Sequence, residues 1–287
     1  MTSKVALCSV VTWSCLEEFQ IMKFSFEHFH GASYQWFVRC DRQSFSDLSR
    51  YPNVKCTLFE HAAVVRPDLW STEFRSIVHQ KMRAVADAWS AGEWQAVMFL
   101  DADLIVTARF MDTALATPGD LVLTPHFRPS SKKYEDEMYG SYNSGFLLTR
   151  APQFHEWWEN AFISAPERFT DQACLDDAGQ VFTIGCLNDR ANIGFWRAPR
   201  RFSFPEIPAD CLFLHVHLYQ MGRSGYETLH RVFALHCIEF LHESPESGHR
   251  AVLGRVVASR SGGWYKKALK DLFGGLSPAN HCPVPMR

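Results

Sequence analysis

The sequence predicts an α/β protein built on a mostly parallel sheet, and three observations carry that reading. Short apolar, β-rich runs recur along the chain, several of them apolar on both faces as a sheet covered on both sides requires, and segments of helical periodicity lie between them.

Taken in order, the strand-like runs are 5–11, 35–40, 54–59, 96–100, 121–124, 145–149 and 212–216. Residues 17–28 read as a helix with aromatic side chains at Phe19, Phe26 and, just past its end, Phe29. Phe74, Ile77, Val78, Met82, Val85, Ala86 and Trp89 form a stripe of 3.6-residue period. Pro152 opens another helix through Trp157, Trp158 and Phe162, since proline is tolerated in a first turn. The Trp pair reads as core rather than as a sugar platform. From about residue 226 the chain reads helical and carries His230, His236 and His242. No repeat or low-complexity linker interrupts it. The expected organisation is a catalytic domain over 1–225 and a helical extension over 226–287 packed on the same domain.

Composition narrows the function. The 287 residues are ample for a buried core. Lys plus Arg is 29 against 31 Asp plus Glu, a net charge of -2, so no global basic field exists to collect nucleic acid. Aromatic residues at 14% exclude disorder as the dominant state. The nine Cys contain no C-x-x-C pair, which excludes a zinc ribbon or a thioredoxin-type centre. Single thiols inside apolar runs behave as small hydrophobes and point to a reducing compartment. The segment 4–11 is interrupted too early for a signal peptide, and no apolar run approaches the roughly 20 residues of a spanning helix. The expected location is cytoplasmic, or peripheral at the inner face of a membrane.

The chemistry concentrates at strand ends. In 97–106 a buried strand stops and Asp101 and Asp103 follow at i and i+2. Ligands of open α/β sheets bind at the carboxyl ends of strands. In extended chain the two carboxylates share a face, and their repulsion calls for a cation, with hard divalent ions taking oxygen ligands. The plain alternative is a turn with two solvated Asp. Further on, Asn143, Ser144 and Gly145 enter an apolar strand, Asp171 and Gln172 open a helix with Thr170 as N-cap, and His215 and His217 end a strand on one face. Each has a structural reading as well: Asn-Ser-Gly is turn chemistry, Asp171 favours a helix start through the dipole, and one His can be a core residue.

Together these motifs resemble, over about residues 4–220, nucleotide-sugar glycosyltransferases of the GT-A fold, in particular the glycogenin-like and related retaining families. Those families carry Asp-x-Asp after an apolar strand, an Asn-Ser/Thr-Gly strand start, an Asp-Gln helix start and a late His. The resemblance implies metal binding by Asp103, Asp101 and His215 or His217, with the position after 212–214 favouring His215. It implies Mn²⁺, or Mg²⁺, as cofactor, the mixed oxygen and imidazole set suiting Mn²⁺ better. Asn143 and Asp171 would face the sugar and Gln172 the reacting centre, with Ser144 and Gly145 also lining the donor. Asp101 would bind metal or donor ribose. Lys81 would touch the donor, although a solvated Lys is the plainer reading. Thr12, Trp13 and Ser14 would meet the base and ribose by fold analogy.

The implied activity is transfer of a sugar, retaining in stereochemistry by family likeness, from a nucleotide-sugar, with UDP favoured, to a glycan or lipid-linked acceptor. The competing class is a nucleotidyltransferase or a metal-dependent phosphohydrolase using the same carboxylates. Residues 12–18 lack the Gly-rich basic loop of the former. A third class is a non-catalytic protein on the same scaffold. No P-loop, G-x-G-x-x-G, G-x-S-x-G or H-E-x-x-H pattern occurs. Finally, 264–276 reads as a basic amphipathic helix, with Trp264, Leu269, Leu272 and Phe273 opposite Lys266, Lys267 and Lys270. Docking on the protein's own core is its plain reading, and contact with an anionic membrane its functional one.

Overall fold

The computed structural model describes residues 4–60, 72–165, 171–199, 204–218 and 226–259. The chain begins β1 (Val5–Val11), α1 (Leu16–His30), β2 (Gln35–Cys40), α2 (Arg42–Leu48), β3 (Val54–Leu58), α3 (Thr72–Ala91) and β4 (Ala96–Leu100). It continues with β5 (Leu104–Val106), α4 (Met111–Ala116), β6 (Leu121–Pro125), α5 (Tyr134–Tyr139), β7 (Tyr142–Thr149), α6 (Phe154–Ser164), β8 (Ile184–Cys186) and β9 (Phe213–His215). It closes, among the described residues, with α7 (Tyr226–Glu243) and α8 (Ser247–Ala258). Short 3₁₀ turns at Trp13–Cys15, Ala173–Gln180 and Phe195–Arg197 matter for the site.

Seven strands form the main sheet in the order β3-β2-β1-β4-β7-β6-β8, and β5 pairs with β9 in a small second sheet. All main-sheet pairings are parallel except those of β7, which runs antiparallel to β4 and β6. Both faces are buried, as the unbroken apolar runs require. Leu7, Trp36, Met98 and Leu100 face α1 through Phe19 and Phe26, whereas Cys8, Val97 and Phe99 face α3 and α6 through Met82, Val85, Phe154 and Trp158. A third cluster joins Phe233, Ile238 and Leu241 of α7 and Val252 and Val256 of α8 to Ile21, Ile105 and Leu214. The helices 226–243 and 247–258 thus stand on the outer side of α1 and on the small sheet.

Two local expectations shift. Asn143–Ser144–Gly145 lies inside a strand rather than before it, because β7 extends back to Tyr142 and pairs with Thr124 and Pro125 past a register shift in which residues 144–146 of β7 have no partner on β6. The helix expected at 171–172 is a 3₁₀ turn starting at Ala173, and its expected cap Thr170 lies outside the described residues. The segment 264–276 also lies outside them.

Candidate active site

The antiparallel run of β7 is what assembles the site. Leu100 at the carboxyl end of β4 sits opposite Phe146, so Asn143, Ser144 and Gly145 come to the same sheet edge as Asp101. The Asp101 N–H donates to the Gly145 carbonyl at 2.8 Å and locks that juxtaposition. His215 sits opposite Leu104 in the β5–β9 pair, which brings it beside Asp103, and the Val216 N–H donates to the Asp103 carbonyl at 2.8 Å.

The two carboxylates do not share one partner. The chain turns at 101–103 instead of remaining extended, so the two side chains meet different partners. Asp101 meets Lys81, whose Nζ lies 2.9 Å from Oδ1 and 3.1 Å from Oδ2. The same ammonium lies 3.1 Å from Asp171 Oδ2 and 3.2 Å from Ser144 Oγ. Lys81 is not a solvated residue: its side chain is 14% exposed. Burial opposes its charge, yet Asp101 and Asp171 outweigh burial and hold its pKa above the ordinary lysine value. Burial pushes the Asp101 carboxyl up, against the lowering by Lys81.

Asp103 turns the other way. His215 Nε2 lies 3.0 Å from its Oδ1, and His217 Nδ1 pairs with its Oδ2. One nitrogen of each ring and one oxygen of Asp103 all lie within 4.8 Å of one another, the one group of this kind among the described residues. Burial works against the charged carboxylate, but His217 and His215 hold Asp103 well below the usual carboxylate range. Burial works against a charged His215 too, and Asp103 raises its pKa regardless. Two imidazole nitrogens aimed at one carboxylate need either protons or a cation between them. The donor set, one carboxylate and two imidazoles, fits a divalent transition ion.

The remaining residues named from sequence fall around this pair of clusters. Asn143 is buried and accepts at Oδ1 from the Gly145 N–H at 2.8 Å. Asp171 is buried, and its carbonyl accepts from the indole N–H of core residue Trp158 at 3.0 Å. Gln172 adjoins it, and its carbonyl accepts from the Leu175 N–H at 3.0 Å. Thr12, Trp13 and Ser14 stand at the carboxyl end of β1, the sheet neighbour of β4, with the Trp13 N–H donating to Asp41 Oδ2 at 2.7 Å and the Thr12 and Ser14 hydroxyls 2.9 Å apart. The Trp13 ring is 56% exposed at that edge. Sequence reasoning missed Asn192, His126 and Trp196. Asn192 is fully buried at a left-handed backbone position, φ 56°, and Trp196 packs edge-on against His215 with ring centres 5.2 Å apart. An Asn in a turn-like stretch was the only signal for the first, and it does not separate a turn from a site.

No protein-family model matches the sequence, and no curated protein matches it. Solved structures do match. The galactosyltransferase LgtC in complex with donor and acceptor sugar analogs aligns at 12% identity with a TM-score of 0.51, covering 80% of this chain and 95% of that one. The chain has the GT-A fold. An active-site mutant of LgtC aligns at 11% identity with a TM-score of 0.54, covering 88% of this chain and 95% of that one. The glycosyltransferase GlyE of Streptococcus pneumoniae TIGR4 aligns at 14% identity with a TM-score of 0.48, covering 92% of this chain and 65% of that one. Open α/β sheets bind ligands at the carboxyl ends of their strands, and Asp101 follows such an end here, with Asn143 beside it.

Proposed function

We propose that this chain is a metal-dependent glycosyltransferase that moves a sugar from a nucleotide-sugar, UDP-linked by preference, to a glycan or lipid-linked acceptor with retention of configuration. The convergence of Asp103, His215 and His217 at the ligand edge of a GT-A sheet carries the reading. LgtC, of the same fold, was solved with donor and acceptor sugar analogs.

In this reading Asp103, His215 and His217 hold Mn²⁺ or Mg²⁺. Bound there, the ion supplies Lewis-acid stabilisation of the charge that grows on the departing diphosphate. The chain's own groups do the rest. Lys81 holds Asp101 and Asp171 together by ion pairs and keeps a positive charge beside the donor site. Asp171 and Asn143 face the sugar hydroxyls, Gln172 lies beside the reacting carbon, and Ser144 and Gly145 line the donor. Thr12, Trp13 and Ser14 take the base and ribose, the exposed Trp13 ring being a stacking surface. Retention is supported by the motif order and by the engagement of Asp101, Asp103 and Asp171 with Lys81 or the imidazoles.

No helix among the described residues is long and apolar enough to cross a membrane. Peripheral binding through 264–276 is tested by liposome co-sedimentation of the full chain against a chain ending at Ser261. Equal binding of both leaves the segment a structural element.

The activity itself is tested by incubating the protein with Mn²⁺ and UDP-, GDP- and CMP-sugars and following nucleotide release, with chelator as control. Metal-dependent release of nucleoside diphosphate from one sugar class is expected. Full release in excess chelator overturns the metal role, and pyrophosphate formation from a nucleoside triphosphate and a sugar phosphate, without donor cleavage, points to a nucleotidyltransferase instead. Within this test, Asp171→Asn is expected to slow the chemical step more than it weakens nucleotide binding.

A further inference from the structure

A chain of buried amides runs from a backbone N–H of β7 to the imidazole of His215, and each link dictates the next. The Gly145 N–H donates to Asn143 Oδ1 at 2.8 Å, so that atom is an oxygen acceptor. Asn192 Nδ2 lies 2.8 Å from the same oxygen and 2.9 Å from Thr124 Oγ1, which commits the amino group of Asn192 to those two acceptors. The remaining amide atom, Asn192 Oδ1, has only lone pairs to offer, and it lies 3.1 Å from His215 Nδ1. That nitrogen must therefore carry the hydrogen. The other ring nitrogen, Nε2, is the one that faces Asp103 at 3.0 Å.

We propose that Asn192 is a positioning residue that holds His215 in the Nδ1–H tautomer, so that the Nε2 lone pair is presented to a cation shared with Asp103. The burial of every member supports this: Asn192 is 0% exposed, Asn143 5%, Thr124 0% and His215 4%, so water does not compete for the hydrogen bonds. The left-handed backbone at Asn192 supports it too. A conformation that few residues adopt is held at the point from which the amide reaches three partners. Asn is among the residues that tolerate it. Edge-on packing of Trp196 against the His215 ring, with the indole N–H donating to the His126 carbonyl at 3.1 Å, keeps the ring from turning over. A ligating imidazole whose second nitrogen donates to a fixed acceptor binds metal more tightly, typically by about 10–100-fold.

The metal half of this inference rests on the proposed function; the tautomer half does not. The test uses the full chain and Asn192→Gly, which keeps the left-handed backbone accessible while removing the amide, with Asn192→Asp as a second variant that still accepts from His215 Nδ1 but cannot donate to Asn143. Two measurements are made: the ¹H–¹⁵N signal of the His215 Nδ1–H in metal-free protein, which persists only while a buried acceptor shields that hydrogen from exchange, and Mn²⁺ affinity by electron paramagnetic resonance titration. Wild type is expected to show His215 protonated at Nδ1 in every state. Asn192→Gly is expected to lose that signal to exchange and to bind Mn²⁺ about 10–100-fold more weakly, whereas Asn192→Asp keeps the Nδ1–H signal. An unchanged His215 spectrum in Asn192→Gly overturns the proposal, as does unchanged Mn²⁺ affinity. Absence of Mn²⁺ binding to wild type would overturn the metal reading, while the spectra still decide what Asn192 does.

Discussion

Gly145 and His215 compete for one volume. A Cβ at Gly145 would lie 2.5 Å from His215 Cε1 and 2.9 Å from its Nδ1, and 2.8 Å from Asn143 Oδ1. Neither neighbour can yield cheaply, because both are buried and hydrogen-bonded to Asn192. The glycine of the Asn-Ser-Gly motif therefore serves the late histidine, from the far side of the sequence.

Gly145→Ala is accordingly expected to destabilise the protein by about 1–3 kcal/mol through overpacking. It should also weaken Mn²⁺ binding by displacing His215. Urea denaturation and a metal titration on the same sample read the two effects, and a variant with wild-type values in both would show that the ring moves aside freely.

Asp103→Ala is expected to abolish Mn²⁺ binding and lower turnover by orders of magnitude while the fold persists. The backbone carbonyl of Asp103, not its side chain, holds the Val216 N–H, so the small sheet keeps its link. Circular dichroism and thermal melting check the fold. Undiminished metal binding would remove Asp103 from the ligand set.

Most of the sheet was legible in sequence because its strands are buried on both faces. Runs such as 96–100 have no solvent side to interrupt them, and the observed strand Ala96–Leu100 coincides with the reading. The strand ends carrying Asp101, Asp103, Asn143 and His215 were legible for the same reason, since polar residues stand out where an apolar run stops. What could not be read was how the turn at 101–103 divides the two carboxylates between Lys81 and the imidazoles. That division depends on a 20-residue helix bringing Lys81 across the sheet and on the antiparallel entry of β7 and β9. Asn192 was invisible because its role comes from contacts with Thr124, Asn143 and His215, all distant in sequence.

His30 is expected to impose a pH dependence on stability. Its ring lies 4.7 Å from those of Phe26 and Phe110, its Nε2 is buried without a hydrogen-bond partner among the described residues, and burial, aided by Arg109 and opposed by Asp112, lowers its pKa to about 4. The unfolded chain binds this proton near pH 6.5 and the folded one only near 4, so stability is full above 6.5 and falls as pH drops through that window. Half-burial reduces the effect to on the order of 1–2 kcal/mol. Denaturation of wild type and His30→Phe at pH 6.5 and 4.5 should show the smaller loss in the variant, and parallel losses would assign the dependence to other groups.

Lys81→Met isolates the cation that binds Asp101 to Asp171. Removing it leaves two buried carboxylates facing each other, their side chains 21% and 7% exposed, and a broken buried ion pair costs about 3–5 kcal/mol. The sign with pH follows from burial. Asp101 already titrates above its ordinary value with Lys81 present, and it rises further once the ammonium is gone. A carboxyl whose folded pKa lies above its unfolded one destabilises the fold at high pH and ceases to do so as pH falls through the folded value. The gap between Lys81→Met and wild type is therefore expected to be widest at pH 7 to 8 and to narrow towards pH 4.5. Lys81→Arg keeps the charge and should show a smaller gap with little pH dependence. Urea denaturation midpoints across that range decide the matter: a constant gap would mean that Lys81 contributes packing over the Phe99 ring, 5.4 Å from its Nζ, rather than charge.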